Sequence, residues 1–289
     1  MIQPGTCSIT PYRSLITRCA VLLCLGFMLW RGFCHGLLPQ LDHPALFYTG
    51  YDLSYWLLRW TRLDTLLVRN AWAAWCLVTL FFASGILLLR YPLQRCWAFI
   101  FAGSYLLQVL LFNMYICKTP HVQAGFAILL WSFCSRHFDQ WWRLMRYYVC
   151  YIFFTAFAWK LYYGSLFQWN GGLLFFREYT APYLFRHPHT ALAAVYYWLL
   201  QHPVWLNAGE KLLLLAQGTF LAGFFTTRYD RFFSLFLILF ILVLLVFGHH
   251  FFAEFLVLVL PLLRITDWAR IRSLLVSFRA VLPEPKPNQ

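Results

Sequence analysis

The stretch from Ala71 to Leu89 runs for nineteen residues without one acidic, basic or histidine side chain. Such a length of apolar helix is what a hydrocarbon core of about 30 Å demands, since roughly 20 residues cross it. Comparable runs occupy Ser14–Leu38, Cys96–Cys117, Val122–Cys134, Tyr147–Tyr163, Trp205–Phe225, Phe232–Phe247 and Phe251–Leu263, eight in all. Val122–Cys134 and Phe251–Leu263 are short, so their ends must lie in shielded protein or thinned lipid, or else be re-entrant. Composition agrees with the runs. Hydrophobic residues make up 62% of the chain and charged residues 11%, against about 25% charged in an ordinary globular domain. Disorder, nucleic-acid binding and a secreted disulfide scaffold are poor fits. The expected fold is an all-α polytopic transmembrane bundle of about eight spans, in the cytoplasmic (inner) membrane, in direct contact with membrane lipid.

Orientation follows from the positive charges. With the N-terminus inside, the inner connections collect Arg13, Arg18, Arg90, Arg95, Arg136, Arg143, Arg146, Arg228, Arg231 and Arg264, and every short one carries at least two Arg. This is the positive-inside pattern, and it puts both termini in the cytoplasm. The net charge of +13 then reports Arg-rich loops against anionic lipid. The first run lacks a small-x-small cleavage site and reads as a retained span. The nine cysteines fall mostly inside apolar runs (Cys19, Cys24, Cys76, Cys96, Cys117, Cys150) with no paired spacing, and read as small buried hydrophobes.

Two stretches resist assignment as spans, Pro39–Asn70 and Gly164–Val204. Both are rich in Trp and Tyr yet polar at intervals, as interfacial loops and half-helices should be; residues 164–204 are expected to form an outer cap on a transmembrane domain of residues 1–263. Beyond it, in residues 264–289, Ile265, Trp268, Ile271, Leu275, Phe278 and Leu282 recur at three- and four-residue steps among arginines. That pattern is an amphipathic cationic helix suited to the inner leaflet, followed by a Pro-rich tail.

Ionisable residues inside the runs cost a few kcal/mol or more unless paired or hydrated, about 3 kcal/mol on insertion scales. On this topology they gather in the outer half of the membrane. His121 begins the fourth run, Lys160 lies near the outer end of the fifth, and Glu210–Lys211 opens the sixth. His249 and His250 close the seventh, with Glu254 one turn beyond. Such a set marks a functional cavity by default. The alternatives are that Lys160 snorkels to the interface, that His121 bonds a backbone carbonyl, and that His249–His250 are loop residues. A metal site from His187, His189 and His202 is disfavoured, because no Cys or acid completes a shell.

At Lys160 the sequence becomes specific. Phe157-Ala158-Trp159-Lys160-Leu161, then Ser165, then Gln168-Trp169-Asn170-Gly171, resembles the "aKl…s..W..G" signature of the vitamin K-dependent γ-carboxylase-like membrane domain, the HTTM family. Lys118-Thr119-Pro120-His121 resembles the family's asparagine-histidine element, with Pro120 in the asparagine's place. Leu213–Phe220 and Phe247-Gly248-His249-His250 follow in the family's order. The resemblance runs from about Arg18 to Leu263 and implies a membrane-embedded, carboxylase-like enzyme or maturation factor. It would act from the extracytoplasmic side on a quinone-like lipid or a secreted peptide. It further implies Lys160 and His121 as catalytic residues, with Lys160 the base, a reduced quinone as cofactor, and a substrate pocket drawing on Trp169, Gly171, Glu210, His249, His250 and Glu254. The animal carboxylase has a large extracytoplasmic domain that this sequence does not contain. The competing class is a non-catalytic membrane subunit whose polar cavity binds a partner helix or lipid. A transporter would need a polar path to the inner face, where the spans carry few ionisable groups.

Overall fold

The computed structural model describes residues 8–41, 56, 58, 60–115, 129–248 and 253–281. Among them helix dominates and no strand occurs. The main elements are α1 (Arg13–Phe33), α2 (Leu63–Arg69), α3 (Ala71–Arg90), α4 (Arg95–Tyr115), a helical stretch at 129–134, α5 (Phe138–Tyr162), α6 (Gly171–Arg186), α7 (Ala191–Gln201) and α8 (Pro203–Gly218). Helix α8 continues into a 3-10 segment, Thr219–Phe224. Then come α9 (Asp230–Gly248), a second 3-10 segment, Ala253–Leu262, and α10 (Ile265–Val281). Three helical stretches, Thr10–Gln40, Ala71–Arg90 and Arg95–Phe112, are long and apolar enough to cross a membrane. They coincide with the first three apolar runs.

Local chemistry sets the boundaries. The Asn70 side chain accepts from the backbone N–H of Trp72 (3.0 Å) and Ala73 (3.3 Å), which starts α3. Thr190 caps α7 through Ala193 N–H, and Pro203 sits at the first turn of α8, where its missing N–H is harmless. Two residues past the end of α5 stands Gly164, whose φ of +71° is cheap only for glycine. There Ser165 N–H bonds Lys160 C=O and Gly164 N–H bonds Leu161 C=O, which satisfies two of the last carbonyls.

Packing brings many of the arginines to one pole. Helices α1 and α4 run parallel, with Arg13 and Arg95 repelling each other at one end and Arg31 lying over the Phe112 ring (3.6 Å) at the other. Arg90 and Arg95 flank the tight turn from α3 to α4. Helix α5 starts at the same pole, where Asp139 accepts from Ser8 Oγ (2.6 Å), Ile9 N–H (3.0 Å) and Thr10 Oγ1 (2.8 Å). Helix α8 and its 3-10 extension run back antiparallel along α5. Gln217 meets Lys160, Gly218 meets the Phe157 ring, Phe220 stacks on Phe153 (4.7 Å), Gly223 abuts Cys150, and Thr226 meets Arg146. The Arg264 guanidinium then donates to the Thr227 and Arg228 carbonyls, so α10 starts close to where α9 began.

Three expectations change in detail. The short eighth run forms a 3-10 segment of ten residues. At about 2.0 Å rise per residue it reaches roughly 20 Å, against about 15 Å as α-helix, so geometry makes up part of the missing length. The amphipathic C-terminal helix does form, but its first half docks on the bundle: Trp268 is fully buried and Ile271 packs against the core, whereas Leu274 and Leu275 remain exposed. Among the cysteines, Cys24 and Cys150 are buried while Cys76 and Cys96 lie on the surface. An apolar run does not imply burial when half of each helix looks outward.

Candidate functional site

The pole opposite that arginine cluster is built from the end of α5, the loop 163–170, and the start of α6 against α8. Helix α6 can lie on α8 because Gly172 has no side chain; a Cβ there would collide with the Leu206 carbonyl. The buried Asn207 side chain accepts the Leu173 N–H (3.0 Å), one of the N-terminal donors that α6 leaves without a helical partner. A Cβ on Gly171 would stand 2.9 Å from both carboxylate oxygens of Glu210. Glu210 therefore lies against the first residue of α6, where a helix N-terminus favours negative charge.

Two lysines occupy this region and are used differently. Lys211 donates to the carbonyls of Ser165 and Gln168 (2.6 Å to the latter) and to Glu210 Oε2 at 2.9 Å. All three protons of its ammonium are thus directed at acceptors, and it clasps the loop between α5 and α6 to α8. Lys160 reaches only Gln217 Oε1, at 3.3 Å, among the described residues. Gln217 is itself buried, in the middle of an apolar face. Lys160 is thus met by a neutral amide, while the nearby carboxylate is engaged by Lys211.

Of the residues read from the sequence, Lys160, Glu210 and Gly171 come together here. Trp169 stands two residues before α6 and is 56% exposed. His121, His249 and His250 lie outside the described residues, as does the side chain of Glu254. Glu210 and Lys211 sit in the middle of α8, not at its opening. His187 and His202 are exposed, and no group of three His, Cys, Asp or Glu gathers among the described residues.

Sequence reasoning assigned no role to Gln217, Asn207 or the ion pair at the other pole. There Arg146 and Asp230 are both buried and joined by two bonds, Nε to Oδ2 at 2.9 Å and Nη2 to Oδ1 at 2.8 Å. Nη2 also donates to the Thr226 carbonyl at 2.7 Å. A signal existed for Gln217, which interrupts the run Leu212–Phe220 with a side-chain amide. None existed for the pairing of Arg146 with a residue 84 positions away.

A groove of about 690 Å³ opens elsewhere, between the Thr219–Phe224 segment and the first turns of α9. Its lining is apolar and does not include Lys160. No family model, curated protein or solved structure matches the chain.

Proposed function

We propose that the chain is an eight-span protein of the cytoplasmic membrane, with the arginine pole and both termini inside. We propose further that Lys160 is the reactive group of a membrane-embedded enzyme or maturation factor of the γ-carboxylase-like kind. It would work from the outer side on a lipid or secreted peptide. The membrane reading rests on the three long apolar helices, and the orientation on the cluster of Arg13, Arg90, Arg95, Arg146, Arg228, Arg231 and Arg264 at one pole.

One observation carries the reading of Lys160: its partner is the neutral carbonyl of Gln217, while Glu210 is bonded to Lys211. A lysine paired to a buried carboxylate cannot give up its proton without orphaning an anion in a dry site. Lys160 can. Gln217 Oε1 holds the amine in place, and Nζ is free to move a proton to or from a reacting group. A reduced quinone, which the resemblance implies, would need donors or acceptors about both its oxygens. The described residues beside Lys160 supply the Gln217 amide and little else, so the fit is poor and no step is derived through that group.

The test compares the lipids and peptides that co-purify with wild type, Lys160→Ala and Lys160→Arg, read by mass spectrometry. A modified species present with wild type and absent with both variants, at unchanged thermal stability, is the expected result. Its persistence in Lys160→Arg would remove the base, because a guanidinium stays protonated. A second reading, a non-catalytic subunit, draws on the exposed aromatic collar of Trp159, Tyr162, Tyr163 and Phe167 around Lys160. Such a collar suits a partner helix or lipid laid across the site.

A further inference from the structure

We infer that the groove between the Thr219–Phe224 segment and α9 holds an acyl chain of an anionic phospholipid, with the lipid's phosphate at Arg228. The inference rests on the membrane reading above but not on the role of Lys160.

The groove is a consequence of local sequence. Gly218 and Gly223 let this segment press into α5, where a Cβ on Gly218 would stand 3.2 Å from the Phe157 ring and one on Gly223 would collide with Cys150. The backbone there winds as a 3-10 helix, narrower than an α-helix, and the turn at 225–229 then displaces α9 sideways. A long furrow remains, floored by Gly218 and Ala222 and walled by Leu221, Phe225, Tyr229 and Phe232. Phe225 is 83% exposed, so this wall faces outward. In water such a surface would mark a partner site; facing lipid, it fits a chain lying along it.

The headgroup follows from charge. The furrow ends at the arginine pole, where exposed Arg228 immediately precedes the lining residue Tyr229. Each carboxylate described at this pole already has its partners: Asp139 binds Ser8, Ile9 and Thr10, Asp230 binds Arg146, and Asp267 binds Arg231 and the Arg264 N–H. No acceptor among the described residues meets the guanidinium of Arg228, or that of Arg143, which is exposed one turn before Arg146. A cationic end on an apolar furrow favours a net-negative headgroup over a zwitterion, whose ammonium these arginines would repel.

The full chain in detergent is titrated with phosphatidylglycerol, with phosphatidylcholine of the same chains, and with inorganic phosphate, and unfolding temperature is followed. Phosphatidylglycerol should stabilise the wild type most and phosphate alone should not. Arg228→Gln should weaken the phosphatidylglycerol response by about fivefold in concentration, the factor one arginine contributes near an anionic leaflet. Ala222→Trp, which fills the furrow, should abolish the response to both lipids. Because that change also disturbs packing, Phe225→Glu at an exposed position provides an independent block and should do the same. Equal responses to the two lipids in the wild type would overturn the inference. So would a phosphate shift as large as the lipid's, or a lipid response surviving both groove variants. Loss of Lys160 activity with the lipid response intact would separate the two proposals.

Discussion

At the scale of residues, the two lysines of the candidate site make opposite predictions. Lys211 closes a loop with three bonds from one charged group, and hydrogen bonds to charged groups are worth about 1.5–3 kcal/mol each. Lys211→Ala should therefore lower stability by at least about 2 kcal/mol, measured as denaturant unfolding in micelles. Lys160→Ala removes one long bond to a neutral amide, and should change stability far less while removing function. If Lys160→Ala proves the more destabilising, Lys160 is structural and the base assignment fails. The Arg146–Asp230 pair gives a third comparison. Asp230→Ala leaves a buried guanidinium without its anion and should cost about 3–5 kcal/mol. The double change Arg146→Leu with Asp230→Leu should cost clearly less, since neither charge is then stranded.

At the scale of elements, close approach and electrostatics decide how helices dock. Gly172→Ala should destabilise by about 1–3 kcal/mol, because the new methyl meets the α8 backbone, which cannot swing aside. Gly209→Ala, in the same α8 with open space around it, should be neutral or stabilising by up to about 1 kcal/mol through helix propensity. Equal losses for both would mean that α6 does not press on α8 as described. Acid should act on α10 and on the start of α5. Burial pushes the Asp267 carboxyl up, but the Arg231 guanidinium and the Arg264 N–H outweigh it and hold the group below its ordinary 3.8. Asp139 is likewise held below that value, since its bonds from Ser8, Thr10 and the Ile9 and Thr10 backbone outweigh burial. A carboxyl lowered in the folded state releases protons on folding, so both contributions are present above the unfolded value and fade as pH falls through the folded one. Asp267→Asn should flatten the acid limb of the unfolding-temperature profile below about pH 4, a window set by the ordinary carboxyl value. An unchanged acid limb would show that the clamp on α10 contributes nothing.

At the scale of the whole molecule, the two poles predict a topology. In a background without reactive cysteines (Cys34, Cys76 and Cys96 are exposed and must be replaced) single cysteines at Arg143 and Arg231 should resist a membrane-impermeant thiol reagent in intact cells. A cysteine at Trp169 should react. Labelling of 143 and 231 from outside would reverse the orientation, and with it both the site and the lipid inference.

Much of this architecture could be read from the chain alone, because a helix long and apolar enough to cross lipid is recognisable residue by residue. The apolar run Ala71–Leu89 became α3 within one residue at its end, and the cationic periodicity after Leu263 became α10. Lys160 stood out for the same local reason, a charge where charge is costly. Sequence could not say what meets that charge. The partners Gln217, 57 positions on, and Arg146's Asp230, 84 positions on, depend on the antiparallel register of α8 and its extension along α5. That register is set by where Gly172, Gly218 and Gly223 permit backbones to touch, and no periodicity encodes it. Nor could it foresee how unequally the two lysines are met: only the fold turns three acceptors toward Lys211 and a lone amide toward Lys160.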